Sequence, residues 1–462
     1  MIFSIDSHGS RKALYDPHEA RWLSYSELSD KVQERALGLR GFPKTLVFNF
    51  CRNDLRSILT YLACLEAGHA VALLDDHLRP ELKQHLIELY RPELISASAP
   101  PDGAESEVFH GCYRTSAPIA DGIEDSLSVL LSTSGSTGSP KFVRLTQRNV
   151  TANAESISEA LAIHPDDRAI TSLPIHYSYG LSVLNTHLLR GASLVLSDDG
   201  LTQPGFWRAV REHHCTSFAG VPYSYQILNR LDLNGLNVPS LHTLTQAGGK
   251  LESSFVAKFA ELMQARGGRF FVMYGQTEAT ARIAILPSDT VLHKLGSAGK
   301  AIPGGSISIE VEQGIAVPTG EVGELIYTGP NVMMGYATSR PDLSLGDVLG
   351  GVLRTGDMAS IDADGFIYMA GRAKRDAKLY GLRINLDEVE DILRKHGPTA
   401  VISRDDRLRI FCEYGDANAF TQYRRDLAAQ LQINYMAFEF VRVEKLPTKG
   451  SGKIDYQALF GM

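Results

Sequence analysis

Residues 127–146 read LSVLLSTSGSTGSPKFVRLT, an apolar strand followed by a polar glycine loop and a second strand. Apolar runs recur from about residue 125 to 275, and each is followed by a turn and an amphipathic helix. Strands that alternate with helices predict a mostly parallel sheet that helices cover. The first hundred residues show the same alternation. We therefore expect one large α/β region in the N-terminal part of the chain.

The pattern changes after residue 300, where short strands alternate with glycine turns. This predicts a small antiparallel, β-barrel-like subdomain over about residues 300–370. A second change near Gly371 leaves a segment with two helices and three short strands, enough for a separate α+β domain. We expect a large N-terminal domain over residues 1–373 and a small, mobile C-terminal domain over residues 374–462.

The composition excludes several classes of protein. Of the 462 residues, 44% are hydrophobic and 21% are charged, which is typical of a globular chain. A net charge of −7 gives no reason to expect nucleic acid as a partner. The five cysteines form no CxxC pair, so neither disulfides nor zinc are expected and a cytoplasmic location fits best. No membrane span is expected, because Glu66 and His69 interrupt the most apolar stretch.

The loop STSGSTGSPK, residues 132–141, has the composition of a phosphate-binding loop. Glycines allow backbone N–H groups to point into one concavity, hydroxyl groups add donors, and Lys141 adds a positive charge. It is not the P-loop of nucleotide kinases, because Pro140 stands where that motif needs a glycine before the lysine. On composition alone, a flexible surface turn is an open alternative.

The complete loop closely resembles the phosphate loop of the adenylate-forming superfamily, which includes acyl-CoA synthetases, nonribosomal adenylation domains and luciferases. Four further matches follow in the order of that family: YGQTEAT at 274–280, RTGDMASID at 354–362, GRAKRDAKLYG at 371–381 and LPTKGSGKIDY at 446–456. The resemblance covers about residues 128–456. It implies an enzyme that uses ATP and Mg²⁺ to join AMP to an organic acid.

The resemblance also implies the residues that bind ATP. They are Thr133, Ser134, Gly135, Ser136, Thr137, Gly138, Lys141, Gly248, Gly249, Tyr274, Gly275, Gln276, Asp357 and Arg372. Within this set, Tyr274 flanks the adenine, Asp357 accepts from the ribose hydroxyls and Arg372 contacts ribose or phosphate.

Three residues are implied to be catalytic. Thr277 binds the α-phosphate, and Glu278 holds Mg²⁺, since a hard cation needs oxygen ligands. Without the motif, Glu278 would be interpreted as a solvated loop acid. Lys453 bridges the carboxylate and the α-phosphate during adenylation; a flexible basic tail and a role for Lys449 are the alternatives. Lys374 takes the position of the family's hinge, although the following residues depart from its pattern.

The acyl pocket is expected near SLPIHYSYGL at 172–181, with His176, Tyr177 and Gly248 as its residues. Tyr177 occupies the position at which a common family form carries a gating histidine, so His176 is equally well explained as a structural residue. No acidic side chain lies between residues 175 and 180 to pair with an ammonium group. An aliphatic, aryl or keto acid is therefore favoured over an α-amino acid.

The expected reaction has two steps: formation of acyl-AMP with release of pyrophosphate, and transfer of the acyl group to a thiol. The thiol belongs to coenzyme A or to the phosphopantetheine of a carrier protein. An amide synthetase is the enzymatic alternative, which an assay of thiols beside amines would distinguish. A regulatory nucleotide-binding protein with a degenerate site is the alternative from another class, and the joint presence of the implied ATP-site residues speaks against it.

Overall fold

The computed structural model describes residues 2–117, 122–132, 141–233, 235–311, 315–372, 376–379, 382–447, 454 and 456–462. The chain divides into two compact units. The larger contains Met1–Ser132 and Lys141–Ala370, and the smaller contains Gly371–Met462.

The strands of the larger unit build two sheets. They are β1 (Lys12–Asp16), β2 (Arg21–Ser24), β3 (Leu46–Cys51), β4 (Ala70–Asp75), β5 (Leu94–Ser96), β6 (Ser106–Phe109), β7 (Cys112–Arg114), β8 (Leu127–Ser132), β9 (Phe142–Thr146), β10 (Arg168–Ile170), β11 (Ser193–Val195), β12 (Ser217–Gly220), β13 (Thr243–Gln246), β14 (Arg269–Tyr274), β15 (Ala284–Leu286), β16 (Ser297–Ala301), β17 (Ser306–Val311), β18 (Ile315–Ala316), β19 (Gly323–Thr328), β20 (Gly335–Ala337), β21 (Val352–Ile361) and β22 (Ile367–Arg372).

Fourteen of these strands form one sheet, in the order β18-β17-β19-β21-β22-β16-β15-β14-β13-β12-β10-β11-β1-β2. Its central strands β11, β10, β12, β13 and β14 pair in parallel, as the alternation of strands and helices predicts. The other eight form a second sheet, β20-β9-β8-β4-β3-β5-β7-β6, whose strands β8, β4, β3 and β5 are also parallel.

The segment over about residues 300–370 supplies antiparallel strands, as predicted. Strands β17, β19 and β21 pair in antiparallel fashion, and β22 pairs with β16. Within the described residues, these strands extend the edge of the fourteen-stranded sheet and do not close into a barrel. This extension carries Asp357 in β21.

Eight helices accompany the described strands of the larger unit. They are α1 (Tyr25–Leu39), α2 (Leu55–Ala67), α3 (Pro80–Tyr90), α4 (Gln147–Ala160), α5 (Ser178–Leu189), α6 (Pro204–Glu212), α7 (Pro222–Leu231) and α8 (Ser253–Ala265). Helices α1, α2, α4 and α5 share one apolar core with strands of both sheets. Helices α6, α7 and α8 pack on the other face of the larger sheet, and α3 packs on the other face of the smaller one.

Helix α4 begins directly after strand β9, in line with the predicted alternation of strands and helices. The Thr146 hydroxyl accepts from the Asn149 backbone N–H over 3.0 Å, and Asn149 Oδ1 accepts from the Thr146 N–H over 2.8 Å. This reciprocal cap satisfies donors that the first helical turn leaves without partners. It fixes the direction of the chain after β9, the strand that begins directly after Lys141.

The smaller unit has its own apolar cores. Its elements are β23 (Asp376–Leu379), β24 (Leu382–Asn385), α9 (Leu386–Leu393), β25 (Thr399–Arg404), β26 (Arg407–Cys412), α10 (Ala417–Leu431), β27 (Phe438–Arg442) and α11 (Tyr456–Leu459). Strand β26 pairs with β25 in antiparallel and with β27 in parallel fashion. The predicted α/β class, with a small α+β unit at the C-terminus, is confirmed.

Candidate active site

Strand β14 ends at Tyr274, and the residues around this end form the first part of the site. Ligands of open α/β sheets bind at the carboxyl ends of parallel strands. The Tyr274 hydroxyl donates to Asp357 Oδ2 over 2.5 Å, although the two residues are 83 positions apart. Gln276 Nε2 donates to the same oxygen over 2.6 Å. The structure thus brings together three of the residues expected to bind ATP.

Asp357 is held in place from its own strand as well. It is 4% exposed, and its backbone N–H donates to the Thr355 hydroxyl over 3.1 Å. The Thr355 hydroxyl in turn donates to the Leu325 carbonyl over 2.7 Å. The carboxylate itself accepts the hydrogen bonds from Tyr274 and Gln276, which it needs because burial removes its hydration. Asp357 is therefore a fixed acceptor inside the protein and not an exposed turn residue.

The second part of the site is built around Glu278, in a 3₁₀ turn over Thr277–Ala279. Glu278 is 7% exposed, and its Oε1 accepts from the Tyr336 hydroxyl over 2.6 Å. The ammonium group of Lys141 lies 3.6 Å from the centroid of the Tyr336 ring, which is a cation–π contact. Tyr336 thus contacts two of the predicted site residues at once.

The pairing of strands explains why Tyr336 lies there. Strand β20 pairs with β9, and this pairing places Tyr336 opposite Val143, two residues after Lys141. The structure thereby brings Lys141 and Glu278 to the two sides of one tyrosine. Sequence reasoning did not single out Tyr336.

Thr277 contacts the start of helix α5. Its hydroxyl oxygen lies 3.3 Å from that of Ser178, the first residue of the helix and 7% exposed. Ser178 directly follows Tyr177, so this contact joins the predicted phosphate site to the predicted acyl pocket. Ser178 was another residue that sequence reasoning missed, although it lies inside the quoted segment.

Gly248 and Gly275 are required by close approaches of the chain. A Cβ atom at Gly248 would lie 2.7 Å from the Tyr177 hydroxyl oxygen, and Gly248 has a φ of +83°. A Cβ atom at Gly275 would collide with the backbone carbonyl of Ala281. Gly249, next to Gly248, accepts from Gln246 Nε2 over 2.8 Å through its carbonyl. Tyr177 and Gly248, both predicted for the acyl pocket, therefore lie close together.

His176 is placed differently from Tyr177. Burial is the main cause that lowers the pKa of His176. The charge of Asp75 acts against this shift, and His77 adds to it. Burial raises the pKa of Tyr177, and the charge of Arg282 acts against this shift. His176 thus responds to charges near the end of β4, whereas the Tyr177 hydroxyl lies against Gly248.

Several residues that the sequence predicts for the site lie outside the part of the chain that the structure describes. They are Thr133, Ser134, Gly135, Ser136, Thr137, Gly138, Lys374 and Lys453. Arg372 is described only as the last residue of strand β22. The roles expected of these residues stay predictions.

The family model of the AMP-binding enzymes matches residues 4–337 of the chain. The protein therefore belongs to the AMP-binding enzyme family. This confirms the resemblance stated from the sequence motifs.

Curated relatives and solved structures agree with this placement. The chain is 29% identical over 469 residues to a feruloyl-CoA synthase from Amycolatopsis sp, an alignment that covers 95% of the chain and 93% of that protein. It is 30% identical over 481 residues to tyrocidine synthase 2 from Brevibacillus parabrevis, covering 96% of the chain and 13% of that protein. The fold resembles that of a double mutant of o-succinylbenzoate CoA synthetase from Bacillus subtilis, with a TM-score of 0.76 and 22% sequence identity. The match covers 100% of the chain and 99% of that protein.

Two features are absent from the described residues. They contain no helix that is both long enough and apolar enough to cross a bilayer. They also contain no cluster of three or more His, Cys, Asp or Glu side chains arranged to hold a metal ion.

Proposed function

We propose that the protein is an AMP-forming acid–thiol ligase of the acyl-CoA synthetase type. The observation that carries the proposal is the arrangement at the end of β14. There Asp357, fixed by Tyr274 and Gln276, lies beside a turn that presents Thr277 and Glu278. The names of relatives such as feruloyl-CoA synthase support the same activity.

In the first step, a carboxylate oxygen of the acid attacks the α-phosphorus of ATP. The bond from that phosphorus to the bridging oxygen breaks, and pyrophosphate leaves with the bonding electrons. Asp357 accepts hydrogen bonds from the ribose hydroxyls, and Tyr274 flanks the adenine. Thr277 donates to the α-phosphate, and Lys141 adds positive charge near the other phosphates. Lys453 stabilises the charge that develops between the acid and the α-phosphate.

The carboxylate of Glu278 is a suitable ligand for Mg²⁺. Mg²⁺ is usually bound by one or two carboxylates together with phosphate oxygens and water, so a single buried carboxylate is a sufficient protein contribution. Tyr336 restrains that carboxylate through its hydrogen bond to Oε1. Bound magnesium supplies charge neutralisation at the phosphates during displacement.

In the second step, the sulfur of a thiol attacks the acyl carbon, and the bond to AMP breaks. AMP leaves as the phosphate anion, and the thiol proton passes to solvent. The thiol belongs to coenzyme A or to a phosphopantetheine carrier protein.

The five cysteines of the chain are free and buried thiols, which agrees with a proposed cytoplasmic location.

The test of this function is ATP–pyrophosphate exchange over a panel of aliphatic, aryl and keto acids. We expect exchange only when both Mg²⁺ and an acid are present. Coenzyme A, pantetheine and primary amines are then offered as acceptors in parallel, and a thioester is the expected product. Formation of an amide alone would identify an amide synthetase. Exchange with none of the acids would contradict the proposed activity.

Asp357→Asn is expected to weaken ATP binding by about tenfold or more, because it removes a charged acceptor for the ribose hydroxyls. Calorimetric titration with ATP measures the effect. Asp362→Asn is the control, since Asp362 is a carboxylate five residues away that pairs with Lys294 over 2.8 Å. Equal ATP affinity in wild type and folded Asp357→Asn would contradict the assignment.

Tyr336→Phe is expected to raise the Mg²⁺ concentration for half-maximal exchange several-fold, about what loss of one hydrogen bond to a charged group predicts. The phenyl ring stays available to Lys141, whereas the hydroxyl that holds Glu278 is lost. Tyr336→Leu removes the ring as well and should also raise the KM for ATP. If Tyr336→Phe lowers exchange equally at all magnesium concentrations, Tyr336 is merely structural.

A further inference from the structure

A cavity lies between helices α4 and α5 and strands β12, β13 and β14 of the larger unit. Its volume is about 40 Å³, which is room for a few water molecules or for one small anionic group, not for a whole organic substrate. Its lining includes Tyr179, the residue after Ser178. The centroid of the Tyr179 ring lies 6.4 Å from that of Tyr177, so the cavity lies beside a residue that the sequence predicts for the acyl pocket.

Arg282 is the unusual residue of this cavity. It is 2% exposed, and its guanidinium carbon lies 4.5 Å from the centroid of the Tyr179 ring. Its buried Nε has no hydrogen-bond partner. Within the described part of the chain, the Arg282 side chain forms no ion pair and donates no hydrogen bond to a protein acceptor.

Other polar groups on the cavity wall have protein partners. Arg269 donates to the Leu161 carbonyl over 2.8 Å and to the Thr243 hydroxyl over 3.0 Å. The Tyr179 hydroxyl donates to the Thr245 carbonyl over 2.9 Å. The contrast shows that the fold satisfies buried donors at this wall where protein acceptors are in reach.

The acid on the cavity wall, Asp167, is also engaged elsewhere. Its Oδ2 accepts from the His164 backbone N–H over 2.8 Å, and its Oδ1 accepts from the Thr216 hydroxyl over 3.1 Å. Burial lowers the pKa of Arg282, and the neighbouring side chains of Tyr179 and Tyr177 act against this shift. Arginine stays protonated even so, so a positive charge remains in the cavity without a carboxylate beside it.

An uncompensated buried charge is costly, and a group that is removed from water requires a counter-charge. A guanidinium presents donors in a planar fork that matches a carboxylate or sulfonate. We propose that the acid substrate carries a second anionic group, remote from the reacting carboxylate, which binds Arg282. This inference rests on the proposed function and specifies its substrate class as dianionic acids.

The proposal is tested with pairs of acids in which a carboxylate replaces a methyl group. The pairs are butyrate with succinate, hexanoate with adipate, and 3-methylbenzoate with benzene-1,3-dicarboxylate. For wild type, acid-dependent pyrophosphate release should show a kcat/KM about tenfold or more higher for the diacid in at least one pair. A preference for the monoacid in every pair that reacts would overturn the proposal.

Variants separate charge recognition from packing. Arg282→Gln should lower kcat/KM for the preferred diacid about tenfold and leave its monoacid partner unchanged. Arg282→Lys should retain part of the preference, and it replaces the Gln variant if that variant does not fold. Arg269→Gln is the matched control, because it removes a cation of the same cavity whose donors are already bonded.

The ratio of diacid to monoacid activity decides the outcome. A ratio that Arg282→Gln and Arg282→Lys leave at the wild-type value would show that Arg282 only packs against Tyr179, which overturns the proposal. Activity with no acid of either series would contradict the proposed function itself. These two failures are distinguishable, because the first requires measurable turnover and the second is its absence.

Discussion

Replacing Glu278 by alanine is expected to lower acid-dependent ATP–pyrophosphate exchange by at least about tenfold, or about 1.4 kcal/mol of transition-state stabilisation. The reason is the loss of a buried carboxylate, to which Tyr336 donates, at the proposed phosphate site. Metal-bound phosphate oxygens carry charge that grows during displacement, so the loss should be larger in kcat than in ATP binding.

Glu278→Gln refines this experiment. The amide oxygen can still accept from the Tyr336 hydroxyl, whereas the negative charge is gone. A loss nearly as large as in Glu278→Ala would assign the effect to charge and therefore to magnesium. Glu324→Gln is the control, because Glu324 is a carboxylate paired with the half-exposed Arg354 over 2.7 Å. Exchange at the wild-type rate in Glu278→Ala, measured at limiting Mg²⁺, would refute the magnesium role.

The alternation of apolar runs and helices was sufficient to predict the α/β fold. The strands around the glycine loop form as residues 127–146 predict, and the helix after Thr146 and the strand RFFVMY (Arg269–Tyr274) continue the predicted alternation of strands and helices. These elements are local, since each is determined by periodicity and by caps or turns within a few residues. The antiparallel strands of residues 300–370 were also predictable, but not that they would extend the large sheet.

The motifs indicated candidate residues for the site, because each motif is a short run of the chain. They did not predict how the residues hold one another. The hydrogen bond from Tyr274 to Asp357 depends on strands 83 positions apart. The contacts of Tyr336 depend on the pairing of β20 with β9. Which distant strands pair depends on the whole sheet, so the sequence pattern of one strand does not show which strand is its partner.

Arg282 illustrates the same limit for charge. In the sequence it is one arginine after a polar motif, and surface exposure is the usual condition of arginine. Only the packing of helix α5 shows that it is buried above Tyr179 beside a cavity. A buried cation of this kind is informative because its environment, and not its identity, is unusual.

Lys453→Ala is expected to abolish adenylation, with a loss of about a thousandfold or more when a cation aimed at the developing charge is removed. If Lys453 acts only in the first step, thioester formation from chemically supplied acyl-AMP should continue at close to the wild-type rate. The supplied intermediate already contains the bond that the lysine helps to form. Lys449→Ala is the matched control and should leave both steps intact.

The counterpart of this variant is Lys374→Pro, which fixes φ near about −65° at the proposed hinge. We expect it to spare adenylation and to depress acyl transfer, the opposite pattern to that of Lys453→Ala. Circular dichroism must first show that both variants are folded, since proline can damage local packing. Opposite losses in the two half-reactions would mean that the C-terminal residues serve different steps. Equal loss of both half-reactions in folded Lys453→Ala would exclude a role confined to adenylation, because a residue needed only for making acyl-AMP cannot limit its consumption.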